Sequence, residues 1–272
     1  MPLTPANRRS FHEHGYLILD PAVPPDTLDA VLQQVEPLYP GHSVGKGFAQ
    51  PTRTTNAWKS CPAVHELAVW PTVLDALHYI YGRHPRPFQT LNFPVSTEQS
   101  VHADTVHFNT LPGGWMCGVW VALEGIHPDS GPLVYYPGSN QLPESILEPP
   151  NEVPPEGLKG WLKQHWHRSM VRLGRRPNHQ DYHKYEVDAA RRLDEFGFKP
   201  QFGLLKRGQA LIWAANLLHG GSARKNPDLT RHSQVTHYFF EGVQSFVPVF
   251  SRDKRLHWTA PDYLPLARRL AA

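Results

Sequence analysis

Pro112-Gly113-Gly114-Trp115-Met116-Cys117-Gly118-Val119-Trp120-Val121-Ala122-Leu123 decides the fold. A turn signal opens directly into an apolar run from Met116 to Leu123 that reads as a strand. Pro128-Asp129-Ser130-Gly131 turns the chain again, and Leu133 to Tyr136 reads as the next strand. The same punctuation recurs on both sides. Residues 87–93, Phe202 to Leu205, Gln209 to Ala214 and Ser233 to Phe240 are strand-like, with Pro137-Gly138-Ser139-Asn140 and Arg207-Gly208 among the breaks. Several short strands between turns predict a mainly β fold, and a double-sheet jelly roll (a double-stranded β-helix) is the economical choice.

Upstream of residue 87 the pattern is different. Tyr16 to Leu19 reads as a short strand. Pro24-Pro25-Asp26 then starts a helix whose Leu28, Val31, Leu32 and Val35 follow helical spacing. A second helical stretch begins after Ser60 and runs through Leu67, Leu74 and Leu77 to a stop at Gly82, with Pro71 marking a break or restart. These N-terminal helices flank the sheet. Residues 143–200 interrupt the strand series with a polar, His- and Arg-rich segment containing a helix-like stretch from Tyr185 to Phe196. It is too long for an ordinary connection, so it is expected to be an insertion or lid within a single domain spanning 1–272.

Composition sets the outer bounds. A chain of 272 residues can bury a substantial core, and 19% charged with 11% aromatic residues suits a packed globule. A formal charge of +3 is mild, and Arg172, Arg175 and Arg176 fit a solvated loop, so no nucleic-acid partner is expected. Cys61 and Cys117 make no Cys-x-x-Cys and read as free thiols of a reducing compartment. Arg8, Arg9, His12, Glu13 and His14 interrupt any secretory signal, and no run of about 18 apolar residues exists. The expectation is a cytoplasmic protein with no membrane partner.

The chemistry is carried by two distant segments, Ser100-Val101-His102-Ala103-Asp104 and Leu217-Leu218-His219-Gly220-Gly221, the latter followed by Thr230-Arg231. His-x-Asp alone is weak, since chance supplies about one in a chain of this composition. Three occur: His102/Asp104, His127/Asp129 and His179/Asp181. In extended backbone, residues two apart point the same way, so His102 and Asp104 can reach one metal past the small Ala103. His127-Pro128-Asp129 reads as a turn, and the third pair lies in the polar insertion. His219 follows an apolar strand and precedes two glycines that let backbone pass close, which suits a ligand as well as a hydrogen-bonded core histidine. Two imidazoles and a carboxylate with open positions form the facial triad of non-haem iron, and zinc is the rival. Arg231 separates them, because a guanidinium suits the distal carboxylate of a keto acid. Arg224 and Lys225 are alternative anchors. His107 is placed to line the pocket, and His237 is core or pocket wall. His12/His14 and His165/His167 read as solvated.

These segments resemble the phytanoyl-CoA dioxygenase-like branch of the Fe(II)/2-oxoglutarate-dependent oxygenases. The resemblance covers Phe11-x-x-x-Gly15-Tyr16-Leu17-Ile18-Leu19, His102-Ala103-Asp104, Trp120 to Leu123 leading into Ser130-Gly131-Pro132-Leu133, Pro137-Gly138-Ser139, Gly208, His219-Gly220 and Thr230-Arg231. It implies a cupin-like jelly roll with outer helices, iron on His102, Asp104 and His219, and Arg231 on the distal carboxylate of 2-oxoglutarate. It further implies that Trp120, Gln89 and Thr105 flank that co-substrate. Asn140 departs from the pattern, standing where a histidine often follows Gly-Ser. Halogenating relatives lack the carboxylate, so Asp104 favours hydroxylation, with desaturation or ring chemistry as variants.

The expected function is therefore oxidation of an unactivated C–H bond of a small-molecule metabolite or natural-product intermediate, using Fe(II), 2-oxoglutarate and O2. His107, Phe93 and Tyr135 are expected in the substrate pocket, and Tyr136, Trp115 and Phe108 are further wall candidates. The alternatives are a cupin-like metalloenzyme that does not use 2-oxoglutarate and a non-catalytic jelly-roll binding protein.

Overall fold

The apolar run that starts at Met116 becomes strand β5 (Met116–Ala122), and every residue of it is buried. Its side chains divide by parity, as a pleated strand requires. Cys117, Val119 and Val121 join the helices in one apolar cluster. Trp120 and Ala122 join a second cluster on the other face. A strand covered on both sides has no polar face to show, so its sequence reads as continuous rather than alternating.

The structure is a computed structural model that describes residues 3–39, 53–142, 162, 179–251 and 256–266. Six strands form one antiparallel sheet in the order β1 (Tyr16–Leu19), β8 (Ala210–Ala214), β5, β10 (Ser233–Phe240), β3 (Pro85–Phe93) and β2 (Thr54–Thr55). A three-stranded sheet of β7 (Gln201–Phe202), β6 (Leu133–Tyr135) and β9 (His219–Gly221) packs on its inner side, where Leu133 and Tyr135 meet Leu91, Phe93, Trp120 and Val235. The remaining sheet orders β12 (Trp258–Thr259), β11 (Gln244–Phe246) and β4 (Asn109–Leu111). This is the mainly antiparallel jelly-roll architecture expected from the strand and turn pattern.

Helices cover the outer face. In α2 (Pro25–Val35), Leu28, Val31 and Val35 are buried, which is the stripe that the spacing predicts. Pro71 does restart the chain: α3 (Pro62–Ala68) and α4 (Pro71–Tyr81) are separate helices, and α4 ends at Gly82. The first helix, α1 (Pro5–His14), carries no such stripe and buries only Phe11. Its start is marked instead by a reciprocal cap between Thr4 and Asn7. Helix α5 (His179–Glu195) is longer than the Tyr185–Phe196 expectation, and most of the remaining 143–178 segment lies outside the described residues. The expected 202–205 strand shrinks to Gln201–Phe202, because β7 is an edge strand that meets β6 only at two residue pairs. Both cysteines are free and buried. No described helix is long and apolar enough to cross a membrane.

Candidate metal centre

The two motif segments meet through their backbones. The His102 N–H donates to the His219 carbonyl and the His219 N–H to the His102 carbonyl, both at 2.9 Å, an isolated antiparallel bridge across the sequence. Gly220 makes the approach possible, since a Cβ there would sit 2.7 Å from the Gln99 carbonyl oxygen. Asp104 begins a tight turn in which its own carbonyl accepts the N–H groups of His107 and Phe108. His102 Nε2 and His219 Nε2 lie 4.0 and 3.8 Å from Asp104 Oδ1. One donor atom from each residue falls within 4.8 Å of the others, and all three residues are buried.

The hydrogen bonds behind these atoms favour a cation. His102 Nδ1 lies 2.8 Å from the Ser100 carbonyl, and His219 Nδ1 lies 2.9 Å from the Leu217 carbonyl. A carbonyl only accepts, so both rings carry the proton on Nδ1 and turn an Nε2 lone pair inward. Gln99 Nε2 makes a long 3.3 Å contact to the His102 lone pair. Burial, reinforced by His219, pushes the His102 pKa down to about 3, so the ring is neutral at neutral pH. Burial acts to raise the Asp104 pKa, but neighbouring His219 and His237 outweigh it and hold the carboxyl well below its usual range. Neutral imidazoles and an ionised carboxylate are the states that bind metal.

Three strands steady Asp104. Trp213 Nε1 donates to Asp104 Oδ2 at 2.7 Å, and His237 Nε2 lies 3.6 Å from the same oxygen. Trp213 on β8 and His237 on β10 both sit opposite Gly118 of β5. A Cβ on Gly118 would stand 2.2 Å from the Trp213 ring, so the indole reaches Asp104 only because that position has no side chain. Gln89 Oε1 in turn lies 2.9 Å from His237 Nδ1. On the other side, the Tyr185 hydroxyl of α5 accepts the Ala103 N–H at 2.7 Å, between the two ligand-type residues. Tyr185, Ala189 and Leu193 pack there with Ala103, Val106 and Leu218.

A cavity of about 540 Å³ opens over these atoms. Gln89, Leu91 and Phe93 of β3 line it with Trp120, Val235 and His237. Arg231 also lines it, only 4% exposed. Its guanidinium carbon lies 5.4 Å from the Trp120 ring and 5.6 Å from Phe93, and its Nε has no hydrogen-bond partner. Burial lowers its pKa to about 10, which still leaves it charged at neutral pH. No carboxylate pairs with it among the described residues. A buried, unpaired cation costs several kcal/mol, so the site calls for an anion. Arg224, the alternative anchor, is instead engaged with Glu98. Donor set, tautomers and orphaned guanidinium together fit a divalent metal beside a dicarboxylate.

His107, Phe93, Trp120 and Gln89 also line the cavity, whereas Thr105 and Tyr135 do not. Thr105 follows the carboxylate into the turn, where strand parity no longer applies, and its N–H bonds the Ala215 carbonyl. Tyr135 packs on Tyr16 with ring centroids 4.7 Å apart, and its hydroxyl bonds Gln201. Of the other His-x-Asp pairs, His127 and Asp129 form an exposed turn in which the Asp129 N–H bonds His127 Nδ1. His179 and Asp181 fall in the first turn of α5. The sequence reading missed Trp213 and Arg53. Gly118, a glycine inside an apolar strand, was the signal available for Trp213.

A family model described as phytanoyl-CoA dioxygenase matches residues 11–233. No curated protein matches the chain. Among solved structures, the non-heme alpha-ketoglutarate-dependent carbocyclase SnoK from nogalamycin biosynthesis is 14% identical, with 89% of this chain and 86% of SnoK covered and a TM-score of 0.64. The epimerase SnoN, solved with Fe3+, alpha ketoglutarate and nogalamycin RO, is 17% identical over 95% and 96% of the two chains, with a TM-score of 0.60. EctD from S. alaskensis, solved with 2-oxoglutarate and 5-hydroxyectoine, is 16% identical over 98% of this chain and 84% of its own, with a TM-score of 0.60.

Proposed function

Because the chain belongs to the phytanoyl-CoA dioxygenase family, we propose that it is an Fe(II)- and 2-oxoglutarate-dependent dioxygenase acting on a small molecule. Residues 1–272 form one oxygenase domain in this reading, with 143–200 inserted into it. His102, Asp104 and His219 would hold the iron, and Arg231 the distal carboxylate of 2-oxoglutarate, with Trp120 and Gln89 beside it. The chemistry supplied there is oxidation of an unactivated C–H bond by O2, coupled to conversion of 2-oxoglutarate into succinate and CO2.

The chain's own residues orient and insulate. Trp213 takes one carboxylate oxygen of Asp104 and leaves the other for the metal. Leu91, Phe93, Trp120 and Val235 keep the Arg231 end dry, which strengthens each charge interaction within it. Asp104 itself favours hydroxylation over halogenation. The small molecules bound in the structures of SnoN (nogalamycin RO) and EctD (5-hydroxyectoine) support a metabolite or natural-product intermediate as substrate.

The observation that carries this reading is Arg231, buried in the cavity of the triad and paired with no carboxylate among the described residues. A metalloenzyme that does without 2-oxoglutarate has no use for that cation. With iron, ascorbate and O2, the protein is expected to release succinate from 2-oxoglutarate, and Arg231→Gln to abolish that release at the same co-substrate concentration. Unchanged turnover in Arg231→Gln would reject the assigned role of Arg231.

A further inference from the structure

The cavity contains a second cation that this scheme does not use. Arg53 precedes the edge strand β2, which pairs with β3 at Thr54–Asn92 and Thr55–Leu91. Thr54 turns outward to bond the Leu38 carbonyl, while Arg53 and Thr55, one residue to either side, line the cavity. Arg53 is exposed at the mouth, and no carboxylate pairs with it among the described residues. Arg53 and His107 both line the cavity.

A charge count makes Arg53 informative. Asp104 is the one carboxylate among the described residues that line the cavity. In the loaded site proposed above, divalent iron and Arg231 balance Asp104 and the two carboxylates of 2-oxoglutarate. Arg53 is the cation left over. The lining also has an apolar part that includes Phe108, Val247, Val249 and Phe250. A hydrophobic wall with one convergent charge is how a small-molecule pocket combines affinity with orientation.

We propose that Arg53 is a specificity-determining residue and that the substrate is an organic monoanion, a carboxylate on an apolar body. Its charge is met by Arg53, and its body lies along Phe108, Val247, Val249 and Phe250, within reach of the metal end of the cavity. The assignment rests on the oxygenase reading and names the substrate class for that same site.

The test uses Mn(II)-loaded protein saturated with 2-oxoglutarate and titrated calorimetrically with 3-phenylpropanoate, 4-phenylbutanoate and cyclohexanecarboxylate, each against its neutral primary amide. The acids are expected to bind about 10- to 100-fold more tightly than the amides, the range of a charge-assisted hydrogen bond. Arg53→Gln, at an exposed position, should reduce that preference to about twofold and leave 2-oxoglutarate affinity unchanged, while Arg53→Lys should retain part of it. Equal affinity for acid and amide, no binding of either, or a preference that survives Arg53→Gln would overturn the proposal. Loss of 2-oxoglutarate affinity in Arg53→Gln would also overturn it, by giving Arg53 the co-substrate instead. Failure of the underlying reading has a different signature: 2-oxoglutarate does not bind the Mn(II) protein, and Arg231→Gln changes nothing.

Discussion

The two ends of the cavity are built on opposite principles. At the closed end, His102, Asp104, His219 and Arg231 are each at most 5% exposed. Bonds from Ser100, Leu217 and Trp213 fix the three ligand-type side chains. Arg53, by contrast, is exposed and immediately precedes the edge strand β2, while Val247, Val249 and Phe250 come from a short turn beyond β11. The side chains proposed to hold a metal are fixed by buried neighbours, whereas the proposed anchor Arg53 is exposed, where substitution disturbs little else.

Breaking the closed end should have the largest effect. Asp104→Ala removes the carboxylate and is expected to weaken Mn(II) binding beyond the about 100-fold upper range of orienting partners, read by calorimetry. Acid should also act on this end. The folded His102 pKa lies near 3, below its unfolded value near 6.5, so the unfolded chain takes up the proton first. The stability that this contributes is therefore present above about pH 6.5 and is lost as pH falls from there towards 3. At about 1.4 kcal/mol per tenfold difference in proton affinity, it amounts to several kcal/mol. The urea midpoint of metal-free protein should fall between pH 7.5 and 5, and His102→Gln should flatten that slope.

Subtler substitutions sharpen the contrast. Trp213→Phe keeps an aromatic side chain, though a smaller one, but removes the N–H bonded to Asp104, and metal affinity should drop about 10- to 100-fold. Tyr185→Phe leaves the buried Ala103 N–H without its acceptor and should cost about 1–3 kcal/mol in urea unfolding. Its effect on metal affinity should be smaller than that of Trp213→Phe, because it acts through backbone. If Tyr185→Phe proves the more damaging to metal binding, helix α5 and not the sheet sets the ligand geometry.

What was legible in the sequence follows the same division. His102-Ala103-Asp104 and His219-Gly220-Gly221 could be read because chemistry fixes the residue types and extended backbone fixes their spacing. Strand β5 could be read because burial on both faces leaves a long apolar run, and β10 because its residues are rich in aromatic and β-branched side chains. Trp213 and His237 became partners of Asp104 only through cross-strand register at Gly118, and register is a property of the assembled sheet. Arg53 and Tyr185 likewise reach the site from distant parts of the chain, one by an edge strand and one by a helix. The strands β2, β4, β9, β11 and β12 are two or three residues long, too short for any period to show. Thr105 was implied by the family resemblance and Tyr135 suggested by its aromatic character; the Thr105 N–H bonds the Ala215 carbonyl, Tyr135 packs on Tyr16, and neither is among the described residues lining the cavity.

Anaerobic titration of the Fe(II) protein with 2-oxoglutarate, followed by the visible charge-transfer absorption of the keto-acid chelate, tests the central claim most directly. The account predicts a band that saturates at one equivalent in the wild type and is lost in both Asp104→Ala and Arg231→Gln at the same concentrations. A band that persists undiminished in Asp104→Ala would contradict it.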